Sequence, residues 1–436
     1  MNRVTELFLE QCTRDVGLRS AVRGASYPEA FTRMAAGRLL SRPIFAPRGR
    51  LLRFADDLAA IFQLMLSLPH RLFEGDLHRY CDVIGISRSE AALMIRGASA
   101  EQPLFGRADA YDDGTEYRLL EFNIGTDLGG MDLVEQSRAL LGVGAFRDFA
   151  ERHGLTYLDT AQIVADQLRA LARPVATGDR PVVALLETTG GLASNPAYQS
   201  LRETMLRCGL DFRLGEVQQV EYRAGRLELH GTAIDVALRY HSAREILHSP
   251  YGPTVLEPIY QAHDAGGTIL YTSLAHSLFN AKGTLALLSD ERHRAAFTED
   301  ERQVIDRVVP WTRMLVRDQA LIEQCQAQQA TLIVKPSVGW SAQGAVVGSE
   351  VTAEEWHNVL TSRTGAGHVV QRIVVGVSEP VLDPATGRVD EWSANWGVFV
   401  TKAGYTGTYI RARRVPEGTI VTESIPGVEV AGVFTY

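Results

Sequence analysis

The segment FGRADAYDDGTEYRLLEFN, residues 105–123, constrains this chain more than any other. Asp113-Gly114 is a strong turn signal, and the flanking runs predict a hairpin with strands at 104–111 and 117–123. Arg107 and Asp109 are two apart, so they share one face of the first strand; Glu121 and Asn123 share one face of the second. A turn centred near Gly114 sets Arg107 opposite Glu121, with Asp109 diagonal to it. One face then carries two carboxylates, an amide oxygen and a guanidinium. Three hard oxygen donors without His or Cys suit Mg²⁺, which keeps waters and takes phosphate oxygens for its other positions. The guanidinium suits negative charge on a phosphoryl group or a tetrahedral centre. A solvated hairpin whose charges pair across the strands satisfies the same pattern.

The rest of the chain divides around this hairpin. Residues 1–104 read as a helical N-terminal region, with a capping box at Ser87-x-x-Glu90 and Gly97 where that helix should stop. Residues 105–175 hold the hairpin and helices at 131–141 and 159–172. In 176–275 the continuous apolar run PVVALLET predicts a parallel strand covered on both faces. A TTGGLASN loop and a helix between Pro196 and Gly209 follow, so this stretch reads as a small Rossmann-like α/β unit. The loop lies where α/β units bind ligands, although Gly190-Gly191 also fits a plain tight turn. Residues 276–436 predict helices at 283–289 and from 299, the latter opened by Thr298-x-x-Glu301, and another capped by Thr352-x-x-Glu355. Strands follow from the patterns at 331–335, 344–348, 368–375, 393–402 and 406–414. The fold class is therefore mixed, α/β and α+β.

Three further segments carry chemistry-bearing side chains. In TLIVKPSVGWSAQGAVVG an apolar strand ends in Lys335, and Gly339 and Gly344 lie in the loop beyond it. Such glycines admit backbone N–H groups to phosphate oxygens, and the lysine supplies a point charge. The loop is not a Walker A motif, since GKS or GKT is missing. Lys282 stands just before an apolar helix, and HVVQRIVVG holds Gln371 and Arg372 in an apolar strand. Taken singly, each also reads as ordinary hairpin, surface or core. Arg411, Arg413 and Arg414 form a basic cluster, and the first two share a strand face, which fits either a carboxylate-binding role or a charged edge.

A formal charge of -8 gives no electrostatic reason for nucleic-acid or anionic-membrane binding. The apolar run at Ile61–Leu68 is too short to span a bilayer, and MNRVTELFLEQ lacks a signal-peptide layout. Cys12, Cys81, Cys208 and Cys325 are far apart, as isolated thiols of a reducing compartment are, and the expected location is the cytoplasm. Eleven histidines without HxxH or HExxH spacing argue against zinc.

Together the four segments, in this order, resemble the circularly permuted ATP-grasp ligases, the group of glutathionylspermidine synthase and eukaryotic-type glutathione synthetase. The resemblance covers roughly residues 105–436. Arg107-x-Asp109 and Glu121-x-Asn123 match the family's metal-ligand strands, Asn280-Ala281-Lys282-Gly283 its first lysine segment, and Lys335 to Gly344 its lysine-glycine loop. The resemblance implies a circularly permuted ATP-grasp fold with an inserted Rossmann-like unit. It implies Asp109, Glu121 and Asn123 as Mg²⁺ ligands, and Lys282, Lys335, Gly339, Gly344 and the Gln371 strand as the ATP site. Arg107 would act at the γ-phosphate and the oxyanion, Arg411 would face substrate or phosphate, and the 336–344 loop would close over the site. The implied activity joins a small-molecule carboxylate to an amine through an acyl-phosphate, and a homodimer would fit the family. An ATP-dependent small-molecule kinase and a non-catalytic ATP-binding partner protein are the alternatives. The substrates are not legible.

Overall fold

The computed structural model describes residues 2–97, 103–339 and 341–436. Residues 98–102 of the predicted N-terminal region and Trp340 of the predicted closing loop lie outside them.

The largest sheet has the strand order Ile44–Ala46, Glu429–Thr435, Gly404–Arg414, Val389–Thr401, Phe105–Asp112, Tyr117–Ile124. Ser378–Leu382 pairs with the first half of Val389–Thr401, beside the same edge. Only the outermost pair, Ile44–Ala46 with Glu429–Thr435, is parallel. Alternation along the central strands separates two faces. Ala108, Ala110, Trp396, Val398, Ile410 and Ala412 join the core that includes Leu58, Ile61 and Phe62 of the long helix Arg48–Phe73. That helix buries residues at three- and four-residue spacing, so one apolar stripe covers the sheet. On the other face, Phe399 and Tyr409 pack into a second core with helix Thr160–Ala172. The remainder of this second face is open to a cavity.

Two four-stranded sheets flank this framework, and Val220–Arg223, Arg226–Leu229 and Thr232–Ile234 form a small third one. Four parallel strands run in the order Ile269–Tyr271, Val236–Arg239, Val182–Glu187, Asp211–Glu216. The apolar Val182–Glu187 run is interior, as its composition requires. An antiparallel sheet of Thr312–Met314, His368–Arg372, Leu332–Pro336 and Val346–Val347 carries helices Gln319–Ala327 and Ala353–Arg363 on its far face. Leu332, Val334 and Val370 point into that apolar layer with Trp356 and Leu360. The capping boxes at Ser87, Thr298 and Thr352 are all formed.

Several sequence expectations need correction. The N-terminal region holds a strand, Ile44–Ala46, because three apolar residues between Pro43 and Pro47 pair with a strand nearly 390 positions away. The predicted strand 368–375 ends at Arg372, and 344–348 shrinks to Val346–Val347 before a turn of 3-10 helix. Val389–Thr401 starts earlier than expected, and the final strand Glu429–Thr435 had no counterpart in the pattern.

Arg42, 1% exposed, ties the N-terminal segment to the Ser378–Leu382 strand. Its Nε donates to the Pro380 carbonyl at 2.8 Å and its Nη2 to Glu379 at 2.6 Å. Removing one member of a buried pair strands the other, and the slight exposure of Glu379 moderates the cost. Arg42→Ala should lower the unfolding free energy by about 2–3 kcal/mol in urea titration, with little recovery in Arg42→Lys, which lacks the planar fork.

Candidate active site

The hairpin forms, but its register differs from the expected one. Asp109 lies opposite Glu121, and Arg107 opposite Asn123. The turn is a four-residue loop in which the Asp113 carboxylate accepts from the N–H groups of Thr115 and Glu116, both at 2.8 Å. Near the loop Tyr111 pairs with Arg118 and Ala110 with Leu119; the register then shifts, leaving Leu120 as an extra residue. Without that bulge Asp109 and Arg107 would share their face with Leu120 and Phe122. The bulge brings the four polar side chains to one face instead.

The neighbouring strands add to this face. Val389–Thr401 sets Gly397 beside Asp109, and Gly404–Arg414 sets Tyr409 beside Gly397 and Arg411 beside Asn395. Asp109 Oδ1 accepts from Arg107 Nε at 3.0 Å and pairs with Arg411 Nη2 at 2.6 Å. Burial alone would raise the Asp109 carboxyl, yet the two guanidiniums hold it below its ordinary value. Burial likewise opposes the charge on Arg411, and Asp109 more than reverses that effect. The Tyr409 ring lies 5.7 Å from the Arg107 guanidinium carbon and 5.5 Å from that of Arg411. It occupies the space above Gly397, where an added Cβ would come within 2.6 Å of it.

The antiparallel sheet supplies the opposite wall. Ile333, Lys335 and Gln371 share the face away from its helices. Lys335 Nζ donates to Gln371 Oε1 at 2.7 Å, and Gln371 Nε2 donates to Thr312 Oγ1 at 3.1 Å. Burial, with the nearby Lys282 cation, pulls the Lys335 ammonium down to about 8. Lys282 is the first residue of helix Lys282–Ser289; its Nζ donates to the Gly339 carbonyl at 2.9 Å and lies 3.2 Å from Glu121 Oε1. The next residue has to be glycine, because a Cβ on Gly283 would stand 2.8 Å from the Ile84 carbonyl and from Ser337 Oγ.

These walls enclose a cavity of about 320 Å³, a size suited to a small-molecule ligand. Of the residues singled out in the sequence, Arg107, Asp109, Glu121, Asn123, Lys282, Lys335, Gly339, Gln371 and Arg411 line it. Gly344 does not: its carbonyl accepts from Arg363 Nη1 at 2.6 Å, and its positive φ of 72° serves the loop's turn. The Gln371 side chain, 1% exposed, faces Lys335, a contact absent from the sequence reading. The 188–195 loop lies outside the cavity lining; Gly190 N–H donates to Glu216 at 2.9 Å, which ties it to the parallel sheet. Arg414 pairs with Asp390 and so is accounted for structurally.

Sequence reasoning missed Asn395, Tyr409 and the 419–423 segment, all of which line the cavity. Asn395 Oδ1 accepts from Arg411 Nη2 at 3.2 Å, and Tyr409 OH donates to Glu423 at 3.4 Å. The tight turn between Thr401 and Gly404 does not by itself signal them: a register shift between Phe399 and Val400 is what sets Asn395 opposite Arg411. Leu120, Ile333, Val374 and Ile420 add apolar side chains to the cavity lining.

Among the described residues no three His, Cys, Asp or Glu side chains cluster as a self-sufficient metal cage. Two facing carboxylates with an amide oxygen fit an ion that takes its remaining oxygens from water and phosphate, as Mg²⁺ does. No helix among the described residues is long and apolar enough to cross a membrane.

No protein-family model matches the chain, and no curated protein matches it. Among solved structures it is similar to a glutathione synthetase-like effector from Globodera pallida in its apo form, with a TM-score of 0.59 and 11% identity over 98% of this chain and 97% of that one. A looser likeness, with a TM-score of 0.44 and 13% identity over 82% of this chain and 86% of the other, is to a candidate gamma-glutamylcysteine synthetase from Methylobacillus flagellatus. The mixed α/β fold of this chain is thus similar to that of the glutathione synthetase-like effector.

Proposed function

We propose that this chain is an ATP- and Mg²⁺-dependent carboxylate–amine ligase that forms an amide through an acyl-phosphate and releases ADP and phosphate. In this reading the fold is a circularly permuted ATP-grasp, with the parallel sheet as an inserted Rossmann-like unit. One observation carries the proposal: Lys282, Lys335, Arg107 and Arg411 converge with Asp109 and Glu121 on a single cavity between two sheets. With Arg372 and Glu423 the lining carries five cations against three carboxylates, an excess that calls for a polyanion, and its apolar side chains suit a nucleobase.

Asp109, Glu121 and Asn123 would hold Mg²⁺, which when bound neutralises charge on the phosphates. Lys282 and Lys335 bind phosphate oxygens, and both are aimed by acceptors on the protein, the Gly339 carbonyl and Gln371 Oε1. The substrate carboxylate attacks the γ-phosphorus and ADP leaves; the amine then attacks the acyl carbon and phosphate leaves. Arg107 and Arg411, fixed on Asp109, face the negative charge that develops in both steps. The 336–344 loop would exclude water, which otherwise hydrolyses the acyl-phosphate.

The deciding assay is ADP release with Mg²⁺ and ATP across a panel of carboxylates, each with and without amines. The expected result is turnover that needs both partners and falls at least about a hundredfold in Glu121→Ala, the scale of losing one charge-organising group. ADP release with a stable phospho-product and no amine requirement would mark a kinase. Tight ATP binding without turnover on any pair would mark a non-catalytic binder.

The Lys335 ammonium also gives the nucleotide affinity a pH dependence. Phosphate favours the charged form, so binding raises a pKa that stands at about 8 in the free protein. The affinity for Mg-ATP should be level below that pH and weaken above it by up to about tenfold per pH unit, with proton uptake on binding. Calorimetry at pH 7 and pH 9, in buffers of different ionisation enthalpy, checks both; a flat profile without proton uptake contradicts the assignment.

A further inference from the structure

The loop that leaves the Tyr117–Ile124 strand, Gly125–Gly130, touches both the cavity and the parallel sheet. Its cavity end is the Gly129 carbonyl, which accepts from Arg107 Nη1 at 3.0 Å. Its other end is fastened to the C-terminal edge of the parallel sheet. Thr126, 2% exposed, donates through Oγ1 to the Arg239 carbonyl at 2.7 Å, and its N–H donates to Thr272 Oγ1 at 3.1 Å. The Leu128 carbonyl accepts from Tyr240 OH at 3.2 Å.

Between these ties sits Arg239, 1% exposed, with its Nη2 2.8 Å from Asp127 Oδ1 and its Nη1 donating to the His241 carbonyl at 2.8 Å. Its Nε has no partner. Asp127 is its only carboxylate partner among the described residues. The fit is close: a Cβ on Gly125, whose φ is +127°, would stand 2.4 Å from Arg239 Nη2 and 2.8 Å from Asp127 Oδ1. At the far side, a Cβ on Gly130 would meet the Tyr409 ring at 2.4 Å. The loop is therefore held on both sides of the exposed Gly129, at Thr126–Leu128 and at Gly130.

We propose that Asp127 and Arg239 are a positioning pair for Arg107, setting the Gly129 carbonyl that holds its guanidinium toward the terminal phosphate. The inference rests on the reading of Arg107 as a nucleotide-facing group. Arg107 has one fixed anchor in Asp109, which Arg411 shares. A second acceptor on Nη1 fixes the rotation of the fork about the first, and orientation is what an arginine contributes to phosphate recognition. A simple neutralising role for Asp127 beside a buried cation predicts a stability effect alone.

The test compares calorimetric dissociation constants for Mg-ADP and for a non-hydrolysable Mg-ATP analogue, since their ratio isolates the terminal phosphate. Arg107→Ala should collapse this ratio. Asp127→Asn should lower it about tenfold, the worth of one charge-assisted hydrogen bond, and add nothing in the double variant with Arg107→Ala. Asp127→Glu keeps the charge beside Arg239, and so the fold, while moving the loop; a smaller fall in the same direction is expected. It decides the matter if Asp127→Asn does not fold. A ratio unchanged in the Asp127 variants, with a lowered melting temperature, overturns the proposal and leaves only neutralisation. A ratio unchanged in Arg107→Ala overturns it together with the nucleotide reading. A fall in the Asp127 variants, in a protein that forms no amide, supports the positioning pair and removes the ligase reading.

Discussion

Asp109 is the fixed point of the cavity. Its carboxylate lies between Arg107 and Arg411, all three nearly buried, on the face of a sheet whose other face is closed by the Arg48–Phe73 helix. Burying three ions is costly unless each is paired and hydrogen-bonded, and here one anion is shared by two cations. The two guanidiniums thus outnumber the carboxylate they share, and the Glu423 charge offsets them in part. Lys282 and Lys335 repeat the imbalance on the facing wall, where Glu121 is within 3.2 Å of Lys282 and an amide oxygen alone accepts from Lys335. On the proposed ligase reading, a cavity built in this way is organised for phosphate groups before any ligand arrives, the preorganisation that phosphoryl transfer needs.

The same point explains why small residues crowd the site. Tyr409 lies against both arginines, and its ring fills the space above Gly397 and beside Gly130. A side chain at either glycine would displace the ring and unseat both guanidiniums. Gly283 answers to a different demand, the close approach of the Lys282 helix to Ser337 and Ile84.

Elements whose cause is local were legible in the sequence. Capping boxes at Ser87, Thr298 and Thr352 mark helix starts, because a side chain and a backbone N–H three residues away satisfy each other. The apolar run at 181–188 announces a strand covered on both sides. Ile44–Ala46 and Glu429–Thr435 were not legible, since ordinary residues become strands there only by pairing with distant ones, the first with the second and the second also with Gly404–Arg414. In the site, the residue types were legible and their contacts were not. Lys282 reads as a surface lysine until the fold buries it against Glu121, and Gln371 reads as core until Lys335 reaches it. Asn395 and Tyr409 carry no motif; register alone brings them to Asp109.

Register is also where a finer reading of the hairpin was available. Along YRLLEFNI the buried positions are Tyr117 and Leu119, then Phe122 and Ile124. A regular strand keeps its apolar residues two apart, so the step of three from Leu119 to Phe122 breaks the phase. One residue has to be absorbed between them, and Leu120 is the residue left unpaired. The opposing strand, with Ala108 and Ala110 in step, shows no such break. The phase error in a short apolar pattern thus encodes a bulge, and the bulge turns Glu121 and Asn123 to the side of Asp109 and Arg107. A strand without the extra residue would keep the same motif letters and present them to opposite faces, so the spacing of the apolar residues, as much as the charged ones, makes the site.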